Sequence, residues 1–202
     1  MTGIKEELKA NPTILENLNK KLFDAMWNKY ADGTISKWEM DSVCFYHHAH
    51  ELAEIDKERY GIEQYNNLSE EPIVDNVWTT KEGKEIPIFQ LTRICGTVID
   101  KNKTKNIVTL LTDDGVVNLK IYRAQFSKYD KQISVKDEVT GKKTIIERSW
   151  FKRGNKLMVA GIRRGDNFVP KVYKNSNFEF PIELIVNVNN DGSVDVAGER
   201  AG

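Results

Sequence analysis

Residues 116–122, VVNLKIY, alternate without a break. Val117, Leu119 and Ile121 fall on one face of an extended chain, and Asn118, Lys120 and Tyr122 on the other. A strand with one apolar face needs partners, and the neighbouring sequence supplies them. Residues 92–100 read as a strand with Gly96 at mid-length, where a small barrel needs a bend or bulge. KNKTK (Lys101 to Lys105) is a loop, and residues 106–112 form a second strand. Asp113-Asp114-Gly115 is a hairpin turn into the third, 116–122. Residues 123–132 read as a short helix that buries Phe126 and Tyr129. Residues 133–148 are an excursion, a hairpin turning at Thr140-Gly141. LMVAGI, within a fourth strand at 156–163, carries Gly161 as another kink. After a turn at Arg164-Gly165-Asp166-Asn167, residues 168–173 make the fifth strand.

Three strands, a helix and two strands, with glycines at the bends, is the order of the five-stranded, partly open Greek-key barrel called the OB-fold. The fold class expected is α+β: this barrel, preceded by a small helical region and followed by a short β-hairpin. The division expected is 1–72 as helical region and linker, 73–178 as the OB-fold nucleic-acid-binding domain with an N-terminal hairpin, and 179–202 as C-terminal hairpin and tail.

The zero net charge conceals a strong asymmetry. Residues 1–90 hold 10 Lys and Arg against 17 Asp and Glu, a net of −7; residues 91–178 hold 19 against 8, a net of +11; residues 179–202 hold 1 against 5, a net of −4. A basic middle between acidic ends points to a polyanion partner for the middle. No apolar run approaches the ~20 residues that span a bilayer. The charged start, MTGIKEELKA, is unlike an export signal. Cys44 and Cys95 sit in different elements without a CxxC, which reads as buried free thiols in a reducing compartment. A cytoplasmic protein with no membrane partner is expected.

Asn11-Pro12 opens a helix on which Ile14, Leu18, Leu22, Met26 and Tyr30 recur at spacing four, with Leu15, Phe23 and Trp27 beside them. Core packing is the expectation for this stripe. Ser36-x-x-Glu39 fits a capping box, so a second helix is expected from Ser36, with Trp38, Met40, Val43, Cys44 and Tyr46 or His47 on its buried side. His47, His48 and His50 invite a metal reading. Their order is not His-Glu-x-x-His and no distant ligand completes a shell, so no metal is assigned; His50 is expected to bond backbone at a helix end. Residues 56–72 read as a linker or short-helix region. Residues 74–80 and 85–91 read as a hairpin about Gly83, and ELIVNVNNDGSVDVAG as another about Asn190-Asp191-Gly192.

An OB barrel holds single strands with a cationic groove for phosphates and flat side chains for bases. Its usual ligand surface is the face of strands two and three with the loops joining one to two and four to five. The candidates there are Lys101, Lys103 and Lys105, then Lys120, Tyr122 and Arg123, then Arg163 and Arg164, with Tyr173 as an aromatic from strand five. Phe168 is a further aromatic on that strand, though core is its other reading. No catalytic residue and no cofactor are assigned. There is no Walker-type phosphate loop and no Gly-x-Ser-x-Gly elbow. Asp113-Asp114 before Gly115 is a turn far more often than half of a two-metal site.

SKWEMDSVCFYHHAHEL (36–52) resembles the segment just before the OB domain in bacterial DNA polymerase III alpha subunits. ICGTVIDKNKTKNIVTLLTDDGVVNLKIYRAQFSKYDKQIS is similar to that OB domain, particularly in low-GC Gram-positive bacteria and their phages, and SWFKRGNKLMVAGIRRGDNFVPKVY continues the match. The resemblance covers about 21 to 195. It implies one piece of a DNA-directed DNA polymerase that is not itself an enzyme, because the family's palm aspartates, fingers and N-terminal phosphatase-like domain have no counterpart here. It implies a barrel near the single-stranded template, in the C-terminal part of the subunit, with the rest of the polymerase and replisome proteins as partners. His50 matches the family's linker histidine. The 133–148 excursion departs from shorter members.

The function expected is therefore single-stranded-DNA binding by cationic loops and aromatic stacking. A protein-interaction scaffold and an RNA-binding OB module are the alternatives.

Overall fold

The computed structural model describes residues 12–30, 35–43, 46–136 and 143–197. Strands β1 (Val74–Thr79) and β2 (Glu85–Phe89) form an antiparallel hairpin. The barrel is built from β3 (Thr92–Asn102), β4 (Ile107–Leu111), β5 (Val116–Lys120), β8 (Lys156–Arg164) and β9 (Asn167–Pro170). Between β5 and β8 lie a helix, Arg123–Asp130, and the hairpin β6 (Ile133–Lys136) and β7 (Lys143–Glu147). The predicted turn of that hairpin lies outside the described residues.

The ring closes. β3 pairs antiparallel with β4 and β8, β4 with β5, and β8 with β9; the parallel pairing of β5 with β9, Asn118 opposite Asn167 and Leu119 opposite Phe168, completes the circuit. This is the OB-fold barrel in an α+β chain. The alternation read from the sequence explains its interior: Ile94, Val98, Val108, Leu110, Val117, Leu119, Leu157 and Val159 all point inward and are buried. Phe168 is fully buried among them, so its aromatic face is a core feature and not a stacking platform. Gly161 marks where β8 changes partner. A Cβ there would lie 2.2 Å from the carbonyl oxygen of Val169, so only glycine lets β9 approach this closely.

Four helices are described, in chain order α1 (Pro12–Tyr30), α2 (Ile35–Val43), α3 (Lys57–Tyr60) and α4 (Arg123–Asp130). α4 plugs one end of the barrel. Phe126 and Tyr129 are buried, with ring centroids 5.2 Å from Phe151 and 5.1 Å from Trp150 respectively. β10 (Ile182–Val188) lies along β8 and carries β11 (Val194–Val196) outside it, so the last hairpin widens the barrel sheet. Leu52, Ile55 and Ile62 pack with Cys95, Met158 and Ile185 into a second core on the outer wall. Burial there pushes the Cys95 thiol up to about 12.

Two N-terminal expectations are corrected. Leu18, Leu22 and Met26 of α1 are 50%, 56% and 61% exposed, so the described part of that stripe is not a core face, while the side chains of Ile14, Leu15, Trp27 and Tyr30 lie outside what is described. Periodicity establishes an amphipathic helix but not what covers it. The second helix already includes Ile35, so Ser36 is not its cap. Its hydroxyl donates instead to the Ala49 carbonyl at 2.8 Å. Glu39 accepts from the backbone N–H groups of His47 and His48 at 2.9 and 3.0 Å, pinning the following chain back on α2. Of that helix's expected buried side Met40 is buried, Val43 is exposed, and Cys44 lies outside the described residues. No described helix is long and apolar enough to cross a membrane.

Candidate nucleic-acid interface

The predicted cations separate into two groups. The first gathers where β3 passes into β4. Lys101 is part of β3, not of the loop, because the strand runs on to Asn102. Its ammonium bonds Asp130 at the end of α4, and Lys103 Nζ lies 2.9 Å from the other oxygen of the same carboxylate. Ser149 Oγ donates to Asp130 as well, at 2.7 Å. Burial works against the Asp130 charge, but the hydrogen bonds from Lys101, Ser149 and Lys103 win and hold its carboxyl below the usual range.

The loop is shaped by its own backbone. Asn106 takes a left-handed φ of 51°, and the Asn102 side chain accepts from Lys105 N at 3.0 Å. Lys120, on the outward face of β5, donates to the Lys105 carbonyl at 2.6 Å. Ile121 N bonds Asn106 O at 3.0 Å, which sets Tyr122 and Arg123 beside the same loop. Tyr122 is 69% exposed. Lys103, Lys105, Lys120, Tyr122 and Arg123 thus converge at one end of the outward face of β4 and β5. The middle of that face is polar, with Thr109 Oγ1 donating to Asn118 Oδ1 at 3.1 Å.

The second group lies at the β8–β9 turn, where Arg164 pairs with Asn167 and Asn167 lies opposite Asn118 of β5, two residues before Lys120. Arg163 is only 13% exposed at its side chain. It donates to the carbonyls of Tyr65, Leu68 and Gly165 at 3.3, 2.9 and 3.0 Å and lies 4.5 Å over the Tyr65 ring. Arg164 is exposed and lies 5.5 Å from the Phe89 ring centroid. Tyr173 lies beyond β9, which ends at Pro170; its hydroxyl accepts from Phe89 N at 2.9 Å, and Lys171 Nζ sits 4.7 Å over its ring. Phe89 and Lys171 were missed by the sequence reading. An aromatic ending the hairpin strand before the barrel was the available signal for Phe89.

The histidines do not converge. His48 Nδ1 lies 2.6 Å from Glu39. His50 bonds backbone as expected, though between strand and loop and not at a helix end: Nε2 donates to the Leu111 carbonyl at 2.9 Å and Nδ1 accepts from Leu52 N at 3.1 Å. Those partners fix its tautomer, and burial lowers its pKa despite the Leu111 hydrogen bond. Tyr46 joins it on the barrel wall, 2.9 Å from Thr97 Oγ1.

Over 187 residues, 93% of its length, the chain is 43% identical to the probable DNA polymerase YorL of Bacillus subtilis (strain 168). It matches the DNA-directed DNA polymerase of Bacillus phage SPbeta with the same identity over the same length. The chain spans 14% of the length of each polymerase. No family model and no solved structure matches it. The chain is therefore a relative of one segment of these DNA polymerases.

Proposed function

We propose that the chain is a single-stranded-DNA binding module of a replicative polymerase of the polymerase III alpha type, placed in the C-terminal part of that enzyme and engaging its template. The observation that carries this is the convergence of Lys103, Lys105, Lys120, Tyr122 and Arg123 on one end of an OB barrel. Cations there neutralise phosphates, and Tyr122 offers a face for a base. The work is done in the cytoplasm, at the nucleoid. The chain holds the strand while other parts of the polymerase carry out nucleotidyl transfer.

Anisotropy titrations with labelled single- and double-stranded oligonucleotides across salt test this. Single strands are expected to bind at low salt and to weaken linearly in log salt. Lys103→Glu, Lys105→Glu and Lys120→Glu together are expected to abolish retention. No binding at low salt, or binding indifferent to that triple change, ends the reading.

A second role rests on separate residues. Val74, Val77, Trp78 and Ile86 of the β1–β2 hairpin are exposed, as are Leu18, Leu22 and Met26 of α1. Such apolar surface fits docking against the remainder of a much longer polymerase. Co-purification with the remaining polymerase domains in the absence of DNA, lost on Val77→Glu with Trp78→Glu, is the outcome that supports it.

A further inference from the structure

Beyond the loop and strand residues named above, an open cleft of about 510 Å³ lies between the end of β3 and the segment 148–153 that precedes β8. Lys101, Arg148, Lys152 and Arg153 line it, with Asp100 the one carboxylate, while Ile99 and Ile145 supply apolar wall. Its volume falls within the ~300–1,000 Å³ of small-molecule sites.

The segment 148–153 is held as a rigid strap. Trp150 and Phe151 are buried and stack against α4. Trp150 N donates to the Tyr129 carbonyl at 3.0 Å, and Asn155 Nδ2 donates to the carbonyls of Ser149 and Trp150 at 3.2 and 3.1 Å. With those two aromatics inside, Arg148, Lys152 and Arg153 of the run RSWFKR stay at the surface. Arg153 is oriented further by its Nε, which donates to the Ile99 carbonyl at 2.7 Å. The strap is also continuous with the loop cations, because Asp130 accepts from Ser149, Lys101 and Lys103 together.

An apolar wall under a cationic rim matches the two halves of a nucleotide, base and phosphate. We propose that this cleft binds one nucleotide of a single strand, so that the strand leaving the Lys103–Lys105 loop continues over the strap. The proposal rests on the single-strand-binding reading above and adds a site to it. Arg148 and Lys152 each meet a phosphate, so charge neutralisation there adds to the salt dependence of the whole interface.

The test uses the full chain and an oligothymidylate of about 16 nucleotides, the upper site size for one OB-fold. Arg148→Ala with Lys152→Ala is expected to weaken binding at least tenfold at low salt and to reduce the log–log salt slope by about 1.4, two phosphates at ~0.7 each. Photocrosslinking with a 5-bromouracil oligomer is expected to label a peptide from the strap or from β7. An unchanged melting temperature shows that the double variant is folded; if it is not, Lys152→Ala alone is read for a slope change of about 0.7. Wild-type binding with an unaltered slope in these variants and crosslinks confined elsewhere overturns this proposal alone. Failure of the wild-type chain to bind overturns the parent reading as well.

Discussion

His50 Nε2 donates to the carbonyl of Leu111 at 2.9 Å, fastening the N-terminal segment to the last residue of β4. Burial lowers the pKa of this ring, so it is neutral in the folded protein near pH 7. The unfolded chain takes up a proton at an ordinary pKa of about 6.5. Stability is therefore fully present above that value and declines as pH falls below it toward the lowered folded value. Thermal melts between pH 8 and 5 are expected to show this loss, and His50→Gln is expected to flatten it. An unchanged profile in the variant would place the dependence elsewhere.

Asp130→Asn separates stability from binding. The carboxylate receives Lys101, Lys103 and Ser149, so its loss is expected to destabilise the fold by about 1–3 kcal/mol. The same change removes a negative charge beside the loop lysines. Affinity for single-stranded DNA at low salt is expected to rise severalfold, which anisotropy reads directly; weaker binding would mean that the lysines need Asp130 to position them.

Neighbouring arginines are expected to behave differently. Arg163→Ala strips three carbonyls of a donor and is expected to cost about 2 kcal/mol or more in denaturant unfolding. Arg164→Ala, at an exposed residue, is expected to stay within about 0.5 kcal/mol of wild type. If the β8–β9 turn meets nucleic acid, Arg164→Ala is the one that lowers affinity in a folded protein.

Gly161→Ala is expected to destabilise by about 1–3 kcal/mol or to yield insoluble chain. The obstructing atom is backbone, the Val169 carbonyl oxygen, which cannot swing aside as a side chain could. A melting temperature equal to wild type would show that β9 can shift away from β8.

The barrel was legible in the sequence because period-two alternation is local: Val117, Leu119 and Ile121 declare their face without help from distant residues. The run KNKTK was visible as a local cluster of cations, though where it stops being strand was not, because Lys101 belongs to β3. Arg163 was not, because the Tyr65 carbonyl that it caps lies 98 residues earlier, and one arginine on a turn looks like any other. β10 read as an appended hairpin because nothing in ELIVNV names β8 as its neighbour; that pairing is settled by Ile182 and Ile185 finding two buried clusters in the folded molecule. The strap's apolar residues were visible as Trp150 and Phe151. That they hold Arg148 and Lys152 beside β3 depends on Asn155 and Asp130, contacts that only the fold assembles.

The parallel pairing of β5 with β9 also governs how this chain can be made. As it emerges from a ribosome, β5 has no second neighbour until Asn167 and Phe168 appear, and α4, a hairpin and β8 must come first. Until then β5 and β8 both present open edges, which invite pairing with other chains. Versions cut before Pro170 are expected to aggregate, and those cut before Ile182 to lose the cover on β8; the shortest soluble form therefore extends past Val188.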